Sequence, residues 1–167
     1  MNEASTAYSM EMVREVVEAV HDPEIPILTI ADLGILRDVY QRDEGMVVVI
    51  TPTYSGCPAM ETIEHDIIAA LNDAGIVAAT VETRLAPAWT TAWLSAAGRE
   101  KLRRFGIAPP AEPGTAKHAL TGSTPLVACP RCSSTDTMRI SEFGSTACKA
   151  LYRCRSCLEP FDYFKCI

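Results

Sequence analysis

Apolar positions over residues 9–105 follow two periods. Val13, Val16, Val17 and Val20 recur at spacings of three and four, with Glu11, Arg14, Glu15 and Glu18 elsewhere. That is the stripe of an amphipathic helix. Ser9 stands where a hydroxyl caps the first turn, and Pro23 and Pro26 stop the helix. Ile35 to Tyr40 reads as a strand, Gln41 to Gly45 as a turn, and Met46-Val47-Val48-Val49-Ile50 as a mostly β-branched second strand, so the pair predicts a hairpin. Pro58 opens a second helix whose apolar face is Met60, Ile63, Ile67, Leu71 and Ala74, ending near Gly75. Ala78 to Leu85 reads as a third strand. Thr91 to Phe105 reads as a third helix, with Arg99, Lys101, Arg103 and Arg104 toward the C-terminal end that favours cations. The order α-β-β-α-β-α predicts an α+β fold with helices on one face of a short sheet.

The punctuation changes after Phe105. Gly106 to Pro125 carries four prolines and three glycines, which excludes a long helix or a central strand and predicts a linker of about twenty residues. Beyond it, Met138 to Phe143 and Thr146 to Arg153 read as short strands around Gly144-Ser145. The expected organisation is an α+β domain over 1–105, a Pro/Gly-rich linker over 106–125 and a small β module over 126–167.

At 167 residues with 48% apolar content, the chain is long enough to bury a core. The longest apolar runs have five residues, and Met1 to Ala4 opens no basic and apolar leader. No membrane span and no export signal are expected, and the expected location is cytoplasmic. The formal charge of −6 argues against nucleic acid or anionic membrane as a partner. The charge is uneven: residues 1–85 hold 4 basic and 15 acidic side chains, while 86–125 hold 5 and 2, and 126–167 hold 6 and 4.

Seven cysteines change the picture. Cys57 is isolated; Cys129, Cys132, Cys148, Cys154, Cys157 and Cys166 crowd the end. In a reducing compartment such clusters point to metal or redox chemistry rather than disulfides. Cys129-Pro130-Arg131-Cys132 and Cys154-Arg155-Ser156-Cys157 are two C-x-x-C units 21 residues apart. Each wraps two thiolates around one ion, and an intervening hairpin closes the tetrahedron. A closed four-thiolate shell is a structural site, and a tail this small needs such a staple. Zinc is the commoner occupant; iron or an iron–sulfur cluster uses the same ligands. Cys148 reads as a small buried hydrophobe and Cys166 as an inert thiol, the alternative being a second metal site shared with Cys57.

Cys57 lies in Thr51-Pro52-Thr53-Tyr54-Ser55-Gly56-Cys57-Pro58, at a strand-to-helix turn. A helix N-terminus favours anions, so a lowered thiol pKa is expected, suiting a metal ligand or nucleophile; the plainer alternative is a buried cysteine at a tight turn. Asp22 and Asp32, in acidic loops either side of Pro26, read as turn and cap residues or as groups that orient a ligand. His21, His65 and His118 read as surface or linker residues. Trp89, Trp93 and Leu94 read first as core, with a partner surface as the alternative. No catalytic triad, phosphate loop or carboxylate pair is present, and no catalytic residue is assigned.

Residues 9–105 resemble the small domain of SufT-like iron–sulfur assembly factors through His21-Asp22-Pro23-Glu24-Ile25-Pro26, Asp32-Leu33-Gly34-Ile35 and Gly56-Cys57-Pro58. Two longer blocks, Pro52 to Met60 and Phe143 to Cys154, narrow the resemblance to the D-subunit family of bacterial phenylacetyl-CoA epoxidase systems. The resemblance implies an accessory, non-enzymatic maturation factor in aerobic phenylacetate degradation. It further implies transient iron or iron–sulfur cargo at Cys57, with Asp22 and Asp32 in the family's acidic motifs. The implied partners are the oxygenase and reductase subunits of the epoxidase. A cluster usually takes four thiolates, so one cysteine per chain points to a homodimer, a small thiol, or help from Cys148 or Cys166. The competing readings are a working subunit of the epoxidase and a structural adaptor that carries no cluster.

Overall fold

The computed structural model describes residues 8–43, 45–110 and 126–165. The chain forms two compact units, the first ending at Pro87 and the second beginning at Ala88.

The first unit contains α1 (Met10–Glu18), β1 (Leu36–Arg42), β2 (Gly45–Ile50), α2 (Ala59–Asp73) and β3 (Ala79–Thr83). Ser9 caps α1 as its sequence position predicts, its Oγ accepting from the Met12 N–H at 3.1 Å. β1 and β2 pair antiparallel, and β2 and β3 pair parallel in the order β1-β2-β3. The parallel pair needs a crossover, and α2 supplies it. Met46, Val47, Val48, Val49 and Ile50 are all buried. Successive side chains point to opposite faces, so both faces of β2 are covered. The segment between α1 and β1 is also core, with Ile25, Leu28, Ile30 and Leu33 buried.

The second unit begins with buried Trp89, whose ring meets that of Phe164 edge-on at 6.0 Å. The tryptophan thus has the core role that its spacing suggested. A short 3-10 turn (Thr91–Trp93) precedes α3 (Ala96–Phe105), where one helix from Thr91 was expected. Ser95 ends the irregular stretch, its Oγ accepting from the Gly98 N–H at 2.8 Å. Gly106 closes α3 in the left-handed region at φ 87°, where a β-carbon is penalised.

β4 (Ile107–Ala108), β5 (Thr137–Ser141), β6 (Lys149–Cys154) and β7 (Pro160–Phe164) form a sheet in the order β4-β7-β6-β5. This corrects the expected boundaries. Ile107 and Ala108, placed in the linker, pair with Asp162 and Tyr163 of β7. Arg99 of α3 donates to the Pro110 carbonyl at 2.7 Å and the Thr91 carbonyl at 2.8 Å. These bonds tie α3 to the second unit rather than to the first. The rest of the expected linker, 111–125, lies outside the described residues, as do His118 and Cys166. The core of the unit gathers Ala108, Val127, Cys129, Ala150, Tyr152, Cys154, Phe161 and Tyr163.

Candidate metal centres

The two C-x-x-C units fold as matching knuckles. The Cys129 N–H donates to the Ser134 carbonyl and the Cys154 N–H to the Glu159 carbonyl, each at 2.9 Å and each five residues ahead. Each unit is followed by a residue in the left-handed region, Ser133 at φ 62° and Leu158 at φ 65°. β5 and β6 pair antiparallel and bring the second knuckle back to the first, as the spacing predicted. The Ser134 and Ser156 hydroxyls meet at 2.8 Å across them.

All four sulfur atoms then lie within 4.8 Å of one another. Cys129 and Cys157 approach to 3.8 Å, and Cys132 and Cys154 to 3.6 Å. A tetrahedron with metal–sulfur bonds of ~2.3 Å has edges of about 3.8 Å, so the set fits a single ion. A cluster, whose ligands sit on different iron atoms, needs a wider spread. Four thiolates this close repel unless a cation intervenes. The Cys157 and Ser156 backbone N–H groups, with sulfur contacts, pull the Cys154 thiol down to about 6. At Cys132 the Ser134 N–H works downward, but sharing protons with Cys154 and its neighbours, together with burial, pushes it up to about 12. Without a cation, one thiolate is held at the expense of its neighbours.

Cys57 occupies a different setting. β2 ends at Ile50, and the chain turns through Gly56 at φ 81°, a left-handed conformation that suits glycine. The Cys57 carbonyl then accepts from the Met60 N–H at 3.3 Å as α2 begins. The half-buried thiol has its pKa raised, which overturns the expected lowering. Burial is the main cause. The Ala59 N–H at the helix start and the Tyr54 side chain do pull it down, and carboxylates Glu24 and Asp22 push it further up. The helix-terminus effect is therefore present but outweighed by desolvation.

Asp22 reaches this site through a tight loop. Its buried carboxylate accepts from the Glu24 N–H at 2.9 Å and the Ile25 N–H at 2.7 Å. The Asp22 N–H donates to the Leu28 carbonyl at 2.9 Å. Asp22 is thus a turn former whose charge acts on the thiol. Asp32 accepts from the Thr29 N–H, and its own N–H donates to the Thr29 hydroxyl, both at 3.1 Å. Asp32 is not among the principal groups acting on Cys57. His21 Nδ1 lies 2.7 Å from the Pro26 carbonyl, to which it can only donate. Glu24 and Tyr54 were not singled out from the sequence, although both lie inside the motifs that pointed to Cys57. Cys148 is buried, with its sulfur 3.0 Å from the Thr146 hydroxyl. No described helix is long and apolar enough to cross a membrane.

Comparison with known proteins agrees with both halves. Residues 10–82 match an iron–sulfur cluster assembly protein family. Residues 113–165 match the PaaD zinc beta ribbon domain. An Escherichia coli (strain K12) protein named as the D subunit of 1,2-phenylacetyl-CoA epoxidase is 58% identical over 146 residues, 87% of this chain and 86% of that protein. Among solved structures, a domain of unknown function, DUF59, from Bacillus anthracis is 27% identical with a TM-score of 0.50, covering 56% of this chain and 90% of its own. A conserved hypothetical protein from Thermotoga maritima is 29% identical with a TM-score of 0.48, covering 57% of this chain and 94% of its own.

Proposed function

The chain belongs to the family of phenylacetyl-CoA epoxidase D subunits, with an iron–sulfur assembly domain followed by a zinc ribbon, and from that premise we propose that it is an accessory maturation factor. It assists iron or iron–sulfur cluster loading into the oxygenase and reductase subunits of the epoxidase. Cys57 holds the cargo in transit, Asp22 and Asp32 shape the acidic loops around it, and Cys129, Cys132, Cys154 and Cys157 hold a structural zinc.

The observation that carries this reading is the half-buried thiol of Cys57 at the start of α2, acted on by the charges of Asp22 and Glu24, inside an iron–sulfur assembly domain. A thiolate is a ligand that iron accepts. One cysteine leaves the shell of a cluster incomplete, so a second copy, a small thiol or the client must complete it. Its raised pKa adds to the lability. At neutral pH the thiol is largely protonated, so cargo must displace that proton to bind, and the proton returns on release. In the ribbon, the sulfur spacing supports zinc in a closed shell that has no open coordination position.

The test is metal and acid-labile sulfide content of anaerobically purified protein, wild type beside Cys57→Ala. The expected result is about one zinc per chain in both, with iron and sulfide in the wild type alone. Zinc alone in both proteins overturns the carrier reading in favour of an adaptor. Leaving the chain out of an assay of already matured epoxidase separates the remaining case: activity persists for a maturation factor and is lost for a working subunit.

A further inference from the structure

The C-terminal end of α3 and the two knuckles of the ribbon enclose a cleft of about 420 Å³. Arg103, Arg104 and Phe105 line one side, Pro130 and Arg131 the first knuckle, and Glu159 the approach to β7. It adjoins a second hollow of about 240 Å³, with Arg103, Cys129 and Pro130 lining both. The two together make an elongated groove within the second unit.

We propose that this groove binds an extended acidic segment of a partner protein. Three arginines meet there. Each is held by one carboxylate contact: Arg103 and Arg104 share Glu100, one turn back on α3, and Arg131 pairs with Glu159. A guanidinium has five N–H donors, so each arginine keeps donors for a second carboxylate. The existing pairs are exposed, with arginine side chains 53%, 79% and 67% accessible. Exposed pairs of this kind contribute little, so a partner carboxylate exchanges for them at small cost.

The apolar part of the groove selects a peptide over a simple anion. Phe105 is 61% exposed although it ends a helix, and Pro130 and Pro160 stand in the lining. Arginine and aromatic side chains together are the composition of protein-binding surfaces. Glu159 in the wall opposes the concentrated charge of a phosphate group. A peptide avoids that repulsion by spacing its carboxylates along the groove. The groove involves neither Cys57 nor its cargo, so the proposal stands apart from the carrier reading.

The test is fluorescence anisotropy of a fluorescein-labelled peptide of alternating glutamate and leucine, with full-length metal-loaded protein. The expected result is saturable binding that weakens with salt and falls about tenfold in Arg103→Gln/Arg104→Gln/Arg131→Gln. Arg139→Gln/Arg153→Gln, at residues that line neither hollow, removes as much charge as Arg103→Gln/Arg104→Gln and should retain it. The pair Arg103→Gln/Arg104→Gln, on exposed side chains of α3 outside both C-x-x-C units, keeps the test valid should the triple variant lose its metal. Absence of saturable binding, an equal loss in the control variant, or displacement by inorganic phosphate as readily as by unlabelled peptide would each overturn the proposal.

Discussion

Two residues show how a local environment overrides a simple rule. Cys57 begins a helix, where anions are favoured, yet its thiol titrates above the usual range because burial and two carboxylates outweigh the Ala59 N–H. The protonated form is thus favoured at neutral pH. Alkylation by iodoacetamide should be slow at pH 7 and still be rising above pH 9, as mass spectrometry of the Cys57 peptide would record. Glu24→Gln removes one repelling charge and should move that profile to lower pH. At Gly144 the constraint is space. A β-carbon there would stand 2.5 Å from an Asp162 oxygen and 3.3 Å from the Lys149 β-carbon. Asp162 cannot swing away freely, because it accepts from the Ser145 hydroxyl at 3.0 Å and lies 4.0 Å from the buried Lys149 ammonium. Gly144→Ala should therefore destabilise the second unit by about 1–3 kcal/mol, the usual cost of overpacking, measured by denaturant melts.

At the level of elements, caps and crossovers do most of the positioning. α2 joins two parallel strands and presents Cys57 at its start, so the candidate site lies where a strand end, a left-handed glycine and a helix meet. α3 ends in the left-handed Gly106, and its direct continuation is β4. That geometry takes the chain from helix to sheet without a long connection. Its start depends on Ser95. Replacing Ser95 with alanine orphans the Gly98 N–H and should cost about 1 kcal/mol. Both tryptophans of the chain, Trp89 and Trp93, lie in the second unit, so a lowered midpoint in a tryptophan-detected denaturant melt would report the loss.

For the molecule as a whole, the two compact units make different demands. The first buries long aliphatic side chains from α1, β2 and α2. The second keeps two cysteines of its four-thiol group, Cys129 and Cys154, in its core, so the proposed zinc would join packing and metal binding in one event. A strong chelator should shift tryptophan emission to the red as Trp89 leaves its contact with Phe164, while most helical circular dichroism persists. Acid should act the same way, because protons compete for thiolates that only a cation holds together. Coincident loss of both signals would mean that the two units do not unfold separately.

Much of this was legible from sequence because it is local. The period of Val13 to Val20, the β-branched run at Met46 to Ile50, the glycine before Cys57 and the paired C-x-x-C units each carry their meaning within a few residues. Hydrophobic period, capping chemistry and ligand spacing act over that range. The rest rests on long-range pairing. Ile107 and Ala108 look like linker until β7, over fifty residues on, supplies their partners. Thr91 to Phe105 belongs with the ribbon because Arg99 reaches Pro110 and Trp89 reaches Phe164. The direction of the Cys57 shift depends on burial and on carboxylates brought from another loop, neither visible in its own motif. Chain-local chemistry located the candidate metal ligands and the turn that holds Cys57. Only packing across the fold decided where the units divide, how the thiol titrates and which arginines meet in one groove, because those depend on distances that no sequence interval encodes.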